Sequence, residues 1–283
     1  MKIAFAGEKG AFAELAAAQH FGPRHTLVPV PEFEDVFASV SRGKVSHGII
    51  PIENSLTGSI HQNYDLLLES DLFITGEIFL RVSHYLIANR GVKRHNIRRV
   101  FSHPQGLAQC RAFLKKMPDA ERIPVSNTAV AVRKIRDGRL LDAAAIASLQ
   151  AAIDYDMSVL AENIEDNKAN ITRFLIVSKQ RSAAPPAAKT CKTSVVFSLK
   201  NIPGALFKSL SVFALRDIDL LKIESRPVHG KPFEYLFYLD FAGDCGDERQ
   251  ANALNHLREI TMFCRPLGTY ERGKLVHPEY KKR

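Results

Sequence analysis

Between Lys2 and Ala147, short apolar strands without polar alternation recur between stretches of helical period. Strands are expected at Lys2–Ala6, Thr26–Val30, His47–Ile52, Leu72–Phe79, Ser83–Ala88, Arg99–Ser102, Ile123–Val125 and Ala143–Ala147. Helices are expected at Ala11–Phe21, Glu32–Arg42, Ile60–Glu69, Pro104–Lys116 and Ala129–Arg136. In the second of these, Phe33, Val36, Phe37 and Val40 share one face; in the third, Tyr64, Leu67 and Leu68 do. A strand apolar at every position is buried on both sides, which calls for helices over both faces of a mostly parallel sheet. Two extended runs stand back to back near residue 80. The pattern therefore predicts two α/β lobes, with ligands held at strand C-termini in the cleft between them.

The rhythm breaks at Gln180-Arg181-Ser182-Ala183-Ala184-Pro185-Pro186-Ala187-Ala188-Lys189, a Pro/Ala-rich run with no apolar period. It separates residues 1–178 from a second domain at 193–270, with a linker at 179–192 and a basic tail at 271–283. The second part reads as strand Ser194–Leu199, helix Gly204–Leu215, strands Asp219–Arg226 and Tyr235–Phe241, helix Glu248–Glu259 and strand Met262–Pro266. That βαββαβ order is the ferredoxin-like split βαβ. So small a domain has little room for an enclosed cleft, so regulation or pairing suits it better than catalysis.

Composition narrows the function. A length of 283 residues fits about two domains. No run approaches the ~18 apolar residues of a membrane-spanning helix. Met1–Gly7 carries one positive charge and too short an apolar run for a signal peptide, so the cytoplasm is the expected location. The cysteines, 110, 191, 245 and 264, show neither metal-clip spacing nor a disulfide framework, and the ten His residues form no HExxH and no i, i+4 pair; no metal is assigned. Net charge is +9, from 39 Lys+Arg and 30 Asp+Glu, which suits nucleic acid or an anionic small molecule. The basic residues are scattered except for Lys281-Lys282-Arg283, there is no Trp, and no basic-aromatic stripe is present. A small anion, rather than nucleic acid or a membrane, is the expected partner.

Two polar segments stand at strand ends. In Pro51-Ile52-Glu53-Asn54-Ser55-Leu56-Thr57-Gly58-Ser59 a buried strand runs out into polar side chains, with Ser59 suited to cap the next helix. A polar turn plus a cap accounts for the same residues as readily as a site does. In Ile164-Glu165-Asp166-Asn167-Lys168-Ala169-Asn170-Ile171-Thr172-Arg173-Phe174-Leu175-Ile176-Val177 a polar stretch leads into the last strand of the large domain. Taken alone, Thr172 is also an ordinary sheet residue and Arg173 a surface cation.

These residues closely resemble the prephenate dehydratase family. Gly7-Glu8-Lys9-Gly10-Ala11-Phe12-Ala13-Glu14 looks like its opening glycine loop, Ser102-His103-Pro104-Gln105 its Ser-His-Pro-Gln block, and Asn127-Thr128-Ala129 its Ser/Asp-Thr-Ala block. Asn201-Ile202-Pro203-Gly204-Ala205-Leu206 and Glu224-Ser225-Arg226-Pro227 look like the two phenylalanine-site motifs of the family's ACT domain. Glu8, Ala13 and Asn127 depart from the usual residues, which bears on arogenate against prephenate as substrate.

The resemblance implies two α/β lobes of the periplasmic-binding-protein type followed by an ACT domain. It implies decarboxylating dehydration of prephenate to phenylpyruvate without a cofactor, under control of L-phenylalanine. Arogenate dehydration and binding without chemistry are the alternatives. By resemblance, Thr172 meets the departing hydroxyl and Glu53 supports it, with Asn54 and Gln109 beside them as polar groups of the catalytic centre. Ser55, Arg173, Thr128, Ala129, Ser102, His103 and Phe174 are the expected substrate contacts, Arg173 as a planar clamp for a carboxylate. An interlobe salt bridge for Arg173, a hydrogen-bonded turn for Ser102 and His103, and tight packing for Gly7 and Gly10 stay open as structural readings. Asn201, Gly204, Ala205, Leu206, Glu224 and Ser225 are the expected phenylalanine contacts, between the ACT domains of a homodimer or homotetramer. Cys110 reads as a buried helix residue.

Overall fold

The computed structural model describes residues 1–182, 190–228, 230, 233–278 and 280. The Pro185-Pro186 part of the expected linker and Lys281–Arg283 of the expected tail lie outside the described residues.

The chain enters as β1 (Lys2–Ala6), α1 (Phe12–Phe21), β2 (Thr26–Val30), α2 (Phe33–Ser41), β3 (His47–Asn54), β4 (Gly58–Ser59), α3 (His61–Glu69) and β5 (Phe73–Arg81). It continues as β6 (Tyr85–Ala88), a 3-10 turn at Arg94–Asn96, β7 (Arg99–Ser102), α4 (Pro104–Gln109), α5 (Arg111–Leu114), β8 (Glu121–Pro124), α6 (Thr128–Asp137), β9 (Ala143–Ala147), α7 (Leu149–Asp154), β10 (Ser158–Ala161) and β11 (Ile171–Ser178). The C-terminal part is β12 (Cys191–Ser198), α8 (Ala205–Ala214), β13 (Leu220–Pro227), β14 (Tyr235–Ala242), α9 (Glu248–Ile260), β15 (Phe263–Glu271) and β16 (Leu275–Val276).

Two compact units result. One holds Met1–Ile60, Ile78–Phe174 and the described residues from Leu275 onward; the other holds His61–Glu77 and Leu175–Lys274. Strand order is β16-β5-β11-β3-β1-β2, with β4 on β3, in one sheet and β10-β6-β9-β7-β8 in a second. Parallel pairs β1–β2, β1–β3, β7–β8 and β7–β9 form the centres of the two lobes. Ile49, Ile50 and Ile52 of β3, and all of β9, are buried, as two-sided strands require.

The third sheet, order β13-β14-β12-β15, is antiparallel at every pairing, giving the ferredoxin-like βαββαβ fold. Val195, Phe197, Leu239 and Phe241 pack on one face against Val212, Phe213, Ala253 and Leu257 of α8 and α9. The opposite face carries α3. Tyr238 Oη donates to Tyr64 O at 2.8 Å, Arg226 grips Asp65 at 2.7 and 3.3 Å, and Arg265 donates to Leu67 O at 2.6 Å.

Several expectations shift. The expected helix Pro104–Lys116 breaks at Cys110 into α4 and α5. Ser59 pairs with Glu53 in the short β4 ladder, two residues before α3 begins at His61. β12 starts at Cys191, inside the range read as linker, and Leu275–Val276, inside the range read as tail, pairs with Phe79 and Leu80 of β5. No helix among the described residues is long and apolar enough to cross a membrane.

At the N-terminal edge of the first sheet, the Phe21 ring lies 4.8 to 5.8 Å from those of His20, His25 and His47. Burial lowers the pKa of His20, helped by His47; burial lowers that of His47, helped by His25 and the N-terminal ammonium. Both therefore take up a proton less readily in the fold than in the unfolded chain. Their contribution to stability is whole above the ordinary value of 6.5 and is lost as pH falls below it. The melting temperature should therefore drop from pH 7.5 to pH 5.5, and the drop should shrink when His20→Gln and His47→Gln are combined. An unchanged drop contradicts this.

Candidate functional site

The chain crosses between the two lobes of the first unit twice, at Val82–His84 and Glu162–Asn170. The crossings run side by side: Val82 N donates to Asn170 O at 2.8 Å, Ile164 N to His84 O at 3.0 Å, and His84 N to Glu165 Oε2 at 2.9 Å. Next to them opens a cavity of about 230 Å³. The ends of β3 and β11 bring Asn54, Thr172 and Phe174 to it; the first turns of α1, α4 and α6 bring Phe12, Gln105 and Thr128; Gln109 and His84 complete the polar wall.

Helix starts converge here for local reasons. His103 precedes Pro104, whose fixed φ suits the first helical position, and His103 Nδ1 accepts from Gln105 N at 3.2 Å. Asn127 Oδ1 accepts from Val130 N at 2.8 Å, which caps α6. Gly10, at φ +86°, is fixed by packing: a Cβ there would stand 2.6 Å from Ala151 Cα. Among the described residues no Lys or Arg lines the cavity. The N-terminal turns of α1 and α6, each helix ten residues long, end at the cavity; the first turn of α1 also carries the buried Glu14 carboxylate, which accepts from Gly10 N at 2.6 Å.

Hydrogen-bond polarity in the wall is fixed from the backbone. The N–H groups of Leu56 and Thr57 donate to Asn54 Oδ1 at 3.0 and 3.2 Å. A backbone N–H can only donate, so the Asn54 amide presents Nδ2 on its other side. Nδ2 donates to Asn170 Oδ1 at 2.8 Å and to Thr172 Oγ1 at 3.0 Å. Asn170 Nδ2 then donates to Gln109 Oε1 at 2.8 Å, and the same oxygen lies 2.9 Å from His84 Nε2. Two consequences follow. Thr172 Oγ1 is an acceptor towards Asn54, so its own proton is free for the cavity. His84 carries its proton on Nε2 and a lone pair on Nδ1. Burial lowers the His84 pKa, against the raising effects of the Gln109 hydrogen bond and the Glu165 carboxylate.

Of the residues singled out from the sequence, Thr172, Asn54, Gln109, Thr128, His103 and Phe174 line the cavity. Arg173 does not: it is buried on β11 between Thr172 and Phe174, which face the cavity, so the two-residue period turns it away. Glu53 pairs with Ser59 and is not on the wall. Ser55 works as a clasp, its Oγ donating to Ala169 O at 2.7 Å and accepting from Ile171 N at 2.9 Å. Ser102 lies beneath the wall with Oγ donating to Ile146 O at 2.7 Å, and Ala129 is buried in α6. Cys110 is buried and its thiol pKa is pushed up, chiefly by desolvation. Sequence reasoning missed His84 as a wall residue, because it sits on a crossing rather than at a strand end.

In the second unit, Gly204 at φ +74° precedes α8, whose first residues are Ala205 and Leu206, with Asn201 exposed in the loop before it. Glu224 and Ser225 are neighbours on β13 and point to opposite faces. Glu224, opposite Tyr238, meets His61 Nε2 at 3.3 Å on the α3 side, whereas Ser225 pairs with Phe237 on the side of α8 and α9.

The family described as Prephenate dehydratase matches residues 3–182. An arogenate dehydratase/prephenate dehydratase of Arabidopsis thaliana is 46% identical over 95% of this chain and 72% of its own length. The structure of a prephenate dehydratase from Arthrobacter aurescens in complex with L-Phe is 33% identical, covering 96% of this chain and 90% of that one at a TM-score of 0.89. The structure of GqqA, described as a quorum-quenching acylase, is 32% identical, covering 96% of this chain and 98% of that one at a TM-score of 0.88.

The floor of the cavity is tight under α4. A Cβ on Gly106 would stand 2.5 Å from Ser102 Oγ and 3.6 Å from Thr128 Cγ2. Gly106→Ala should lower stability by roughly 1–3 kcal/mol. Ser102→Ala in the same chain removes the clashing oxygen and should restore part of it, read as coupling in a thermal double-mutant cycle. Independent, additive effects contradict the contact.

Proposed function

The chain belongs to the prephenate dehydratase family, and from that premise we propose that Thr172 meets the departing hydroxyl in the conversion of prephenate to phenylpyruvate. The observation that carries this reading is the Asn54 amide, which donates to Thr172 Oγ1 and leaves the threonine proton for the cavity. In the reaction the bond from ring to carboxylate breaks and its pair enters the ring. The ring hydroxyl leaves with its own pair and takes up one proton, giving CO2, water and an aromatic ring. Hydroxide is a poor leaving group, so a donor fixed at that oxygen acts where charge develops. Asn54 holds the donor, with Gln109 acting on it through Asn170, and the helix start of α6, with Thr128 and Gln105, suits the substrate carboxylates.

Acyl hydrolysis, the activity in the description of GqqA, fits the wall less well. The Cys110 thiol is buried and hard to ionise, and the Thr172 oxygen faces an amide donor rather than a base. Prephenate is favoured over arogenate as substrate on the family description; the Arabidopsis relative carries both names.

The second unit suits an ACT regulatory domain that binds L-phenylalanine between paired copies. Its ferredoxin-like fold and the left-handed Gly204 at the start of α8 support this, as do exposed Leu206 and Phe207 on α8 and exposed Ile223 on the edge strand β13. The α3 helix begins one residue after cavity-lining Ile60 and is held on the sheet by Arg226 and Tyr238.

Purified chain should turn prephenate into phenylpyruvate, with Thr172→Ala losing kcat far more than it raises KM and Thr172→Ser retaining more. Asn54→Asp keeps the bonds from Leu56 and Thr57 but replaces the amide donor with an acceptor. It draws the Thr172 proton away from the cavity and should cost on the order of 10²-fold in kcat. Turnover of arogenate alone, or a fully active Asn54→Asp, contradicts the reading. L-Phenylalanine should bind by calorimetry and inhibit cooperatively, and Asp65→Ala should weaken inhibition while leaving turnover. Absence of binding at millimolar concentration leaves the domain a pairing module.

A further inference from the structure

The charges of the loop before α1 take no part in the chemistry above. This loop, Gly7–Ala11, joins Ala6 of β1 to Phe12 of α1, both of which line the cavity. Its backbone is bound within its own lobe, Gly7 N donating to Val30 O at 2.8 Å and Ala11 N to Glu8 O at 2.9 Å. Its other side lies against α6 and α7 of the second lobe. A Cβ on Gly7 would stand 3.8 Å from Asn127 Nδ2, one on Gly10 would stand 2.6 Å from Ala151 Cα, and Ser148 Oγ donates to Gly10 O at 2.6 Å. At this contact Glu8 Oε2 pairs with Arg133 Nε of α6 at 2.7 Å, and Lys9 Nζ with Asp154 Oδ1 of α7 at 3.7 Å. Glu8 Oε2 is closed to solvent and has no hydrogen-bond partner among the described residues, so the Arg133 charge is its compensation. Arg136, one turn further along α6, is engaged by Asp137 at 2.6 Å and stacks over the Tyr155 ring at 4.7 Å. Asp154 is 1% exposed, and Lys9 supplies its countercharge.

The two pairs have opposite polarity, acid to base in one and base to acid in the other. Sliding the loop by one residue would set Lys9 against Arg133 or Glu8 against Asp154, like charge on like, so the pairs select a single register between the lobes. Glu8 is one of the residues at which the opening loop departs from the family pattern. Resting on the prephenate reading for its kinetic consequence, we infer that Glu8 and Arg133 are positioning residues that hold the two lobes together around the substrate cavity. The wall is divided between the lobes: Phe12 and Thr172 stand on one, Gln105 and Thr128 on the other. A substrate that touches both walls binds only while they face each other, and the ion pairs keep them so before substrate arrives. Weakening a pair lowers the fraction of binding-competent chains and raises the apparent dissociation constant by the same factor, while the bound state and its chemistry stay as they were. The signature is a higher KM at an unchanged kcat.

Lys9 is kept in the test, because its removal strands a buried carboxylate and endangers the fold. Glu8→Arg sets two guanidinium groups against each other, Arg133→Glu sets two carboxylates against each other, and the double variant restores the pair with its polarity reversed. Each single variant should raise KM for prephenate at least about threefold with kcat within about twofold of wild type, and the double variant should bring KM back to within about twofold. A contact that serves stability alone lowers the melting temperature of the single variants and leaves KM unmoved. A fall in kcat places the pair in the chemistry itself, and a KM that does not recover in the double variant shows that pairing is not the cause. Any of these three results overturns the assignment. The ligand-free chain gives a reading that needs no substrate. Amide hydrogen exchange across Gly7–Ala11 should quicken at least about threefold in each single variant and return in the double; unchanged exchange in the single variants overturns the assignment. Failure of the wild type to turn over prephenate counts against the function reading, and the exchange measurement then decides the ion pair. Normal turnover without the KM pattern counts against Glu8 and Arg133 alone.

Discussion

Two backbone N–H groups, those of Leu56 and Thr57, point at Asn54 Oδ1, and the hydrogen-bond directions of the cavity wall depend on them. Backbone amides have no alternative protonation state and cannot be flipped, so the constraint is absolute in sign. It passes from Asn54 to Asn170, to Gln109 and to the His84 imidazole through bonds of 2.8 to 2.9 Å. At one end the Thr172 hydroxyl is left with a proton to give, and at the other the imidazole is left with a lone pair. Buried amide chains are costly unless each member is paired, and here pairing and polarity are the same requirement.

The placement of this chain of amides follows from the two crossings between lobes. Crossing backbone cannot join either sheet ladder, so its groups are satisfied by the partner crossing and by buried side chains such as Glu165. That explains why Ser83, His84, Glu165 and Asn170 are buried although all are polar. Among the described residues neither Lys nor Arg lines the cavity, so its wall is built from neutral hydrogen-bonding groups and helix starts.

Much of the fold was readable in the sequence because the strands are two-sided. Lys2–Ala6, Arg99–Ser102 and Ala143–Ala147 stand where the apolar runs place them, as does the less buried edge strand Thr26–Val30, and the βαββαβ order of the C-terminal part needs only period and length. Strand-end residues such as Thr172 and Asn54 were legible for the same reason. Arg173 was drawn to the site by adjacency to Thr172, but a strand alternates, and a neighbour of a facing residue faces away; Glu53, on the same parity as cavity-lining Pro51, is taken up by the β4 ladder opposite Ser59. The Glu224–Ser225 pair shows the same alternation, with its two side chains on opposite faces of β13. His84 was invisible because its role is set by Gln109 and Asn170, 25 and 61 residues apart along the wall's hydrogen bonds. No local pattern encodes such a partnership. The break at Cys110 and the pairing of Leu275–Val276 with β5 are likewise tertiary choices that a single segment does not announce.

The central claim is that backbone amides dictate the protonation pattern of the wall, and the tautomer of His84 reports it most directly. Long-range nitrogen–proton correlation NMR of the ligand-free protein at neutral pH separates the two neutral tautomers and the imidazolium. The account predicts a neutral ring with the proton on Nε2 and an unprotonated Nδ1. A ring protonated on Nδ1, alone or as imidazolium, would show that the polarity does not run from Asn54 to His84 and would contradict the account.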